Sequence, residues 1–376
     1  MMSFTHDLRK CKPFRRRKMK PMKKGLMVFF VMLIAVSLTG VAIAQDKPIK
    51  LRAQSTWPAG LPILQEAAEH FAAKVGELSG GRLIVDMNPS GAIVPAGELV
   101  EACHKGVVDI SCGWSSYWRG TFPAAPLFGA IECGPTSMEY LGWVMVGGGL
   151  KLWQEMYDNK GYNVKVLPPY SVHGCEDLAW SNKPIRTLED FKGLRFRTGG
   201  YYWGKVLQKM GASVVTLPGS EVIPSLERGV IDAGEFSMPA IDINMGFHEV
   251  CKYLIIPGIH QPSSMDETLV NKKVWDSLPE DLQHILWTAA EQSSLWILQR
   301  EMELNPPAFK KFKEAGITVI SLSPEVQGQA KKLADEIHNE TAAKYPFFKK
   351  VIESQRAFHK TWVEYSNNYK IEYKED

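Results

Sequence analysis

The stretch GLRFRTGG, residues 193–200, sets two guanidinium groups two residues apart on a segment of strand-like composition. At a period of two, Arg195 and Arg197 share one face and Phe196 takes the other. A guanidinium presents a planar fork that matches a carboxylate in a bidentate pair, and each such charge-assisted bond contributes roughly 1.5–3 kcal/mol. Strand arginines also serve in surface salt bridges, so the residue types leave both readings open. Glu235 closes the segment VIDAGEF, residues 230–236. That is the C-terminal end of a strand, where open α/β sheets place ligands. A carboxylate buried beside Phe236 is costly unless it is paired or bound to a metal; an exposed loop carboxylate is the other reading. Tyr117 and Trp118, in SSYWRG, follow a strand-like VVDI. They are expected to form a facing wall, since rings with polar tips suit small organic acids, although core aromatics look the same in sequence. No His-Glu-x-x-His, Gly-x-Ser-x-Gly or phosphate loop occurs. Gly147-Gly148-Gly149 opens a helical pattern without nucleotide context and reads as a tight turn.

These groups need elements to carry them. IKLRAQSTW (49–57) alternates like a strand and stops at Pro58-Ala59-Gly60. Leu64, Ala67, Ala68, Phe71, Ala72 and Val75 then recur at helical spacing. LIVDMN (83–88) reads as a strand, Ala96 to Lys105 as a helix, and VVDISCG (107–113) as the next strand. Strand–helix–strand–helix–strand order implies parallel pairing in an α/β domain. The second half repeats the style with a strand in 190–200, a helix over 201–211, a strand over 212–217, a short helix over 219–229 and a strand over 230–236. KGVVDI (105–110) and RGVIDA (228–233) echo one another across the halves. In each, a basic residue suits the helix C-terminus and Gly takes the left-handed turn that ends it. Beyond Asn271 the pattern turns helical, with a strand in GITVISLSP (316–324) and long helices over Glu325–Lys344 and Pro346–Tyr369.

Residues 1–44 are a secretory leader by pattern: seven Lys and Arg between Arg15 and Lys24, an apolar run from Leu26 to Leu38, then Ala42-Ile43-Ala44. Cleavage is expected near Ala44, and the run borders on the length of a membrane anchor. The leader holds ten of the 44 Lys and Arg and one of the 41 Asp and Glu, so the remainder carries 34 basic against 40 acidic residues, a net −6 instead of +3. A nucleic-acid partner thereby loses its electrostatic support. Cys103, Cys112, Cys133, Cys175 and Cys251 are odd in number and scattered, reading as buried thiols with one unnamed disulfide permitted. The remaining length favours two domains.

The run from Ser181 to Leu286 resembles the periplasmic solute-binding subunits of TRAP (tripartite ATP-independent periplasmic) transporters, the DctP-like family. The resemblance is carried by NKPIRTLEDFKGLRFRTGG, MGASVVTLPGSEVIPSLERGVIDAGEF, GFHEVCKYLIIPG and LVNKKVWDSLPEDLQHIL. Upstream, SGGRLIVDMNPSGAIVPAGELVEACHKGVVDISCG and GWVMVGGGLKLWQEMYDNKGYNVKVLP extend it over nearly all the chain after the leader. TLPGSEVIPSLERGVIDAGEF, GGGLKLW and PGIHQP look like the branch that binds 2-oxo acids, lactate and similar monocarboxylates, often with a metal ion.

This resemblance implies a periplasmic-binding-protein-like α/β fold, two α/β lobes with a ligand cleft at the hinge and long C-terminal helices. Chain crossings near 173, 260 and 305 would give one lobe from 45–172 plus 260–305 and a second from 173–259 plus 306–376. Arg197 matches the arginine that clamps the ligand's carboxylate. Glu235 matches the glutamate that binds the cation, and Phe236 replaces the usual Trp beside it. Glu176, in CEDLAW, stands where the branch usually has Gln, and Gln261 where it usually has Glu or a polar substitute. Glu176, Glu235, Phe236 and Gln261 would then hold Ca²⁺ or Na⁺, which prefer oxygen ligands. Arg197, Glu176, Tyr117, Trp118, Phe236 and Gln261 would contact the acid. Loss of the metal, with Glu176 serving another polar cargo, is the alternative. His173 and His260 fall near the cleft as structural histidines. The implied partners are a small organic acid and a TRAP membrane permease driven by an ion gradient, with no chemistry on the cargo; a homodimer through the C-terminal helices is a further implication. The rival class is an exported hydrolase or lyase using Glu176 and Glu235 as an acid–base pair, for which no motif supplies a water-activating site.

Overall fold

The computed structural model describes residues 47–370 apart from Thr216 and Pro218; the expected leader and its cleavage near Ala44 lie outside the described residues. Two sheets are built. The first contains β1 (Ile49–Ser55), β2 (Leu83–Asn88), β3 (Ile110–Gly113), β4 (Val164–His173) and β10 (Ser264–Asn271), in the order β2-β1-β3-β10-β4. The second contains β5 (Ala179–Ser181), β6 (Arg195–Arg197), β7 (Ser213–Val215), β8 (Ala233–Gly234), β9 (Tyr253–Ile256) and β11 (Thr318–Ser321), in the order β11-β9-β5-β8-β6-β7. Mixed α/β architecture with long C-terminal helices is therefore what the chain forms.

The helices that support these sheets are α1 (Leu64–Leu78), α2 (Leu99–Lys105), α3 (Ser137–Met145), α4 (Gly149–Asp158), α5 (Tyr201–Lys209), α6 (Val222–Glu227), α7 (Pro239–Met245), α8 (Lys272–Ser277), α9 (Glu280–Glu314), α10 (Pro324–Lys344) and α11 (Pro346–Ser366). The apolar stripe read on α1 is the one it buries: Leu64, Ala67, Ala68, Phe71 and Val75 enter a core with Leu51 and Tyr170. None of the helices among the described residues is long and apolar enough to cross a membrane.

Parallel pairing holds for β1 with β2 and with β3. It fails for β10, which runs antiparallel between β3 and β4. Every residue of β10, SMDETLVN, is buried. Such a polar strand reaches the sheet centre because its charges are satisfied there. Glu267 accepts from the indole of Trp153 at 3.0 Å, from Tyr157 at 2.7 Å and from the indole of Trp118. Burial still raises its carboxyl to about 7, against those three hydrogen bonds.

The echoed hexapeptides differ from expectation in one respect. Gly106 (φ 77°) and Gly229 (φ 65°) stop their helices in the left-handed conformation as read, but the strands begin only after the aspartate, at Ile110 and Ala233. In both copies the aspartate is a clasp on an arginine of the neighbouring parallel strand. Asp109 donates its N–H to Arg52 O at 2.8 Å and accepts from Arg52 N at 2.7 Å. Asp232 does the same with Arg195 at 2.8 and 3.0 Å.

Helix α9 is 35 residues long and contains Pro306 and Pro307. Before the prolines Leu282, Leu286 and Ile297 pack with Phe71 and Tyr170; beyond them Phe312 packs with Trp180 and Leu254. Proline has no N–H, so the carbonyls of Met302 and Glu303 receive no helical donor there. The five cysteines after the leader are free thiols.

Candidate functional site

A cavity of about 560 Å³ lies among segments of both sheets, with Arg197, Glu176, Glu235, Phe236, Tyr117 and Gln261 in its wall. Arg197 ends β6 and lines the cavity at only 7 % exposure, whereas Arg195, two residues earlier, is exposed and engaged with Asp232. Its Nε and Nη2 both donate to Leu217 O at 3.1 Å, and Nη1 donates to Glu235 O at 2.6 Å. A guanidinium has five N–H groups. Four of the five have acceptors in the protein, since Nη1 also donates to Glu235 Oε2; the fifth, on Nη2, has none among the described residues, and the two Nη atoms present the end-on edge that a carboxylate takes. Glu235 Oε2 stands 3.4 Å from Nη1, and its Oε1 accepts from Gly199 N at 2.5 Å. That bond fixes the turn leading into α5.

Glu176 lies in the link from β4 to β5. Ser237 Oγ donates to its Oε1 at 3.4 Å, whereas Oε2 is buried without an aligned partner. Burial raises its carboxyl above the usual range, opposed by the adjacent His260. His260 Nε2 lies 3.3 Å from Glu176 Oε2, yet both ring nitrogens lack aligned hydrogen-bond partners. Gly258 makes this approach feasible: its N–H donates to Glu176 O at 2.8 Å, and a Cβ there would meet that same oxygen at 2.2 Å. Glu176, Glu235 and His260 each offer a ligand atom within 4.8 Å of the other two. Two carboxylates and an imidazole, all buried, one oxygen and both nitrogens unpaired, fit a cation: such orphaned groups are costly unless something binds them. Behind them burial pushes Asp177 and Asp242 well above the usual carboxylate range, with Glu176 adding to the shift of Asp177 and Asp177 to that of Asp242.

The apolar side of the cavity holds Tyr117, whose ring packs edge-on to Trp114 at 5.2 Å and tilts against Trp57 at 6.2 Å. Phe236 closes the other side. Its ring occupies the space a Cβ on Gly219 would need, with a ring carbon 2.5 Å from that position. Gln261 lines the cavity, and its carbonyl accepts from Glu176 N at 3.2 Å.

Trp118 corrects the sequence reading. It is buried and turned away from the cavity, with its indole on Glu267. Tyr117 and Trp118 are consecutive in a 3-10 turn, Ser115–Trp118, so only one of them can face the opening. Tyr202 and Trp203 are likewise buried at the start of α5, while Tyr201 lies outside under Arg119 at 4.4 Å and Lys205 at 4.7 Å.

His260, which the sequence reading had set aside as structural, stands beside Glu176 and Glu235. Its one signal was adjacency to Gln261 in PGIHQP; both reach inward because the chain turns there, with Gln261 N donating to Gly258 O at 2.9 Å. His173 and Asp266 also line the cavity. His173, the last residue of β4, bridges Asp266 at 3.2 Å and Glu301 of α9 at 2.7 Å. Burial alone would lower its pKa, but those two carboxylates outweigh it and hold it up at about 10.

Comparison with known proteins places this geometry. The profile of DctP, bacterial extracellular solute-binding protein, family 7, matches residues 53–345. The monocarboxylate 2-oxoacid-binding periplasmic protein of Nostoc sp. is 31% identical over 312 residues, spanning 83% of this chain and 84% of that protein. A TRAP periplasmic solute-binding protein of Colwellia psychrerythraea, solved with calcium and pyruvate, superposes with a TM-score of 0.79 at 29% identity, over 86% of this chain and 98% of the other. One from Pseudoalteromonas atlantica, solved with sodium and pyruvate, gives a TM-score of 0.78 at 29% identity with the same coverage. The chain with the buried Arg197 fork and the Glu176–Glu235–His260 cluster belongs to family 7 of the bacterial extracellular solute-binding proteins, the DctP family of TRAP transporter binding subunits.

Proposed function

We propose that this chain captures a small organic acid, a 2-oxo acid or lactate-like monocarboxylate, together with a cation, and delivers it to a TRAP membrane permease. The observation that carries this reading is the guanidinium of Arg197, buried in the cavity wall with one N–H of Nη2 uncommitted among the described residues and with Nη1 held by Glu235 alone. Arg197 takes the carboxylate end of the cargo. Glu176 and Glu235 hold a cation beside it, with Gln261 and the backbone at Phe236 completing the shell, and the adjacent 2-oxo or 2-hydroxy oxygen completes the cation's coordination. Tyr117 and Phe236 cover the apolar body. The calcium–pyruvate and sodium–pyruvate relatives support this pairing of cation and acid.

The two sheets support lobes formed by 45–172 with 260–305 and by 173–259 with 306–376. Their strands fall on either side of these crossings, and the acid enters between them. The protein acts outside the cytoplasm after removal of the leader near Ala44, as a binder that leaves its cargo unchanged. Trp362, Tyr365 and Tyr369, exposed on and just beyond α11, support a homodimer through the C-terminal helices.

The test is a melting-temperature screen of pyruvate, lactate and longer 2-oxo acids with and without Ca²⁺, followed by calorimetry and product analysis. A bound ligand raises the melting temperature in proportion to the logarithm of its excess over Kd. Stabilisation without turnover by an acid of this class supports the reading. Turnover of the acid, or no shift across the panel with any cation, refutes it.

A further inference from the structure

The cation cluster carries a nitrogen. His260 is 2 % exposed, and neither ring nitrogen has a hydrogen-bond partner. A buried imidazole with both nitrogens unpaired among the described residues leaves a donor and an acceptor unsatisfied, which is costly. A neighbouring acceptor exists in Glu176 Oε2 at 3.3 Å, but that oxygen is unpaired too. Glu176, His260 and Glu235 each present a ligand atom within 4.8 Å of the other two, so a single partner among them would satisfy the unpaired groups. Bond lengths of about 2.0–2.1 Å put neighbouring tetrahedral ligands roughly 3.4 Å apart, so imidazole and carboxylate already stand at a ligand-to-ligand separation.

Ligand type decides which cation gains most. Ca²⁺, Mg²⁺ and Na⁺ prefer oxygen, whereas imidazole suits Zn²⁺ and its first-row neighbours. We propose that His260, Glu176 and Glu235 form a nitrogen-containing site that selects a borderline divalent cation of the Zn²⁺ class over Ca²⁺ and Na⁺. The inference rests on the reading that a cation accompanies the cargo, and it sets this chain apart from relatives solved with calcium or sodium. Imidazole binds metal only when deprotonated, and the cavity wall beside it offers the oxygen of Gln261 and space for a 2-oxo acid to fill the remaining positions.

The experiment uses the protein purified without a metal-affinity tag and stripped with chelator. Zn²⁺, Co²⁺, Ca²⁺ and Na⁺ are titrated separately by calorimetry, and the visible spectrum of the Co²⁺ form is recorded. Zn²⁺ is expected to bind at least 100-fold more tightly than Ca²⁺, and His260→Gln to reduce that ratio at least tenfold and shift the Co²⁺ bands. Equal or tighter binding of Ca²⁺, or a ratio unchanged in His260→Gln, overturns the proposal. Should His260→Gln fail to fold, X-ray absorption of the Zn²⁺-loaded wild type decides: an imidazole shell supports it and an all-oxygen shell overturns it. Pyruvate binding is measured in parallel with each cation. Pyruvate held with Ca²⁺ but no Zn²⁺ preference sinks only this inference. Zn²⁺ preference with no acid bound under any cation sinks only the transport reading.

Discussion

Asp232 and Arg195 grip one another through both main chain and side chain. The N–H of Asp232 donates to Arg195 O at 2.8 Å, and its carboxylate accepts from Arg195 N, Nε and Nη2 at 3.0, 2.9 and 2.8 Å. Asp109 and Arg52 repeat the backbone exchange in the other sheet. The repeated hexapeptide is thus a strand-entry clasp: glycine ends the helix and aspartate locks the next strand against its parallel neighbour.

The side-chain hydrogen bonds of Arg195, with help from its backbone N–H and Lys183, hold the Asp232 carboxyl well below the usual carboxylate range. A depressed folded-state pKa contributes stability that is present above the ordinary value near 3.8 and lost as pH falls below it. Asp232→Asn should lower the melting temperature at pH 7 and flatten its fall between pH 4 and 2. A variant whose acid limb parallels the wild type contradicts the clasp.

Arg197→Ala should abolish acid binding in calorimetry. With two charge-assisted bonds lost at about 1.5–3 kcal/mol each, affinity falls by at least 100-fold. Arg197→Lys recovers little, because an ammonium cannot present a flat pair of donors. Affinity within fivefold of wild type in either variant would remove Arg197 from the anchor role.

Gly258→Ala tests the close approach that brings Glu176 to His260. The clash is with backbone, not with a movable side-chain tip, so the loop must shift. Overpacking of this kind costs about 1–3 kcal/mol. Expected outcomes are a lower melting temperature and a cation affinity reduced at least tenfold, read by titration of the stripped protein.

His173 carries the alkaline limb of stability. Its folded pKa of about 10 lies above the ordinary 6.5. The contribution is therefore complete below pH 6.5 and disappears as pH rises through 10. Melting temperatures of wild type and His173→Gln should converge between pH 6.5 and 10, the variant being the less stable at pH 6. A constant gap across that interval would place the imidazolium elsewhere than between Asp266 and Glu301.

Trp118→Phe separates core from cavity. Removing the indole donor leaves Glu267 Oε1 with the Tyr157 hydroxyl alone, at 2.9 Å and shared with Oε2, at a cost of about 1–3 kcal/mol; a melting temperature lower by a few degrees is expected, since roughly 2–4 °C per kcal/mol holds for somewhat shorter chains. Acid affinity should stay within twofold. A large loss of affinity would return Trp118 to the wall.

Much of this was legible in sequence because periodicity encodes which face is buried. The stripe from Leu64 to Val75, the glycine stops at 106 and 229, and the late helices all follow from local rules. That Arg197 and Glu235 line the cavity was expected from the family resemblance; their residue types alone left a surface salt bridge and an exposed carboxylate equally open. β10 was not legible, because Asp266, Glu267 and Thr268 read as surface residues until their partners, distant in sequence, are assembled around them. Trp118 was misplaced for a related reason: two adjacent aromatics are interchangeable in sequence, and the geometry of a single 3-10 turn sends one inward and one outward. His260 escaped because its meaning depends on Glu176, 84 positions earlier by the numbering, and on a glycine that lets the two loops touch.

The paired prolines in α9 have a mechanical consequence. A rod bends first where it is already notched, and at Pro306–Pro307 two of the backbone hydrogen bonds that resist bending are missing. The notch falls between Ile297, seated in one apolar core, and Phe312, seated in the other. Under the proposed two-lobe reading, jaws mounted on the two ends of such a rod would gape and shut while each keeps its own packing, and Glu301, one turn before the notch, ties that stretch of helix to His173 in the cavity wall.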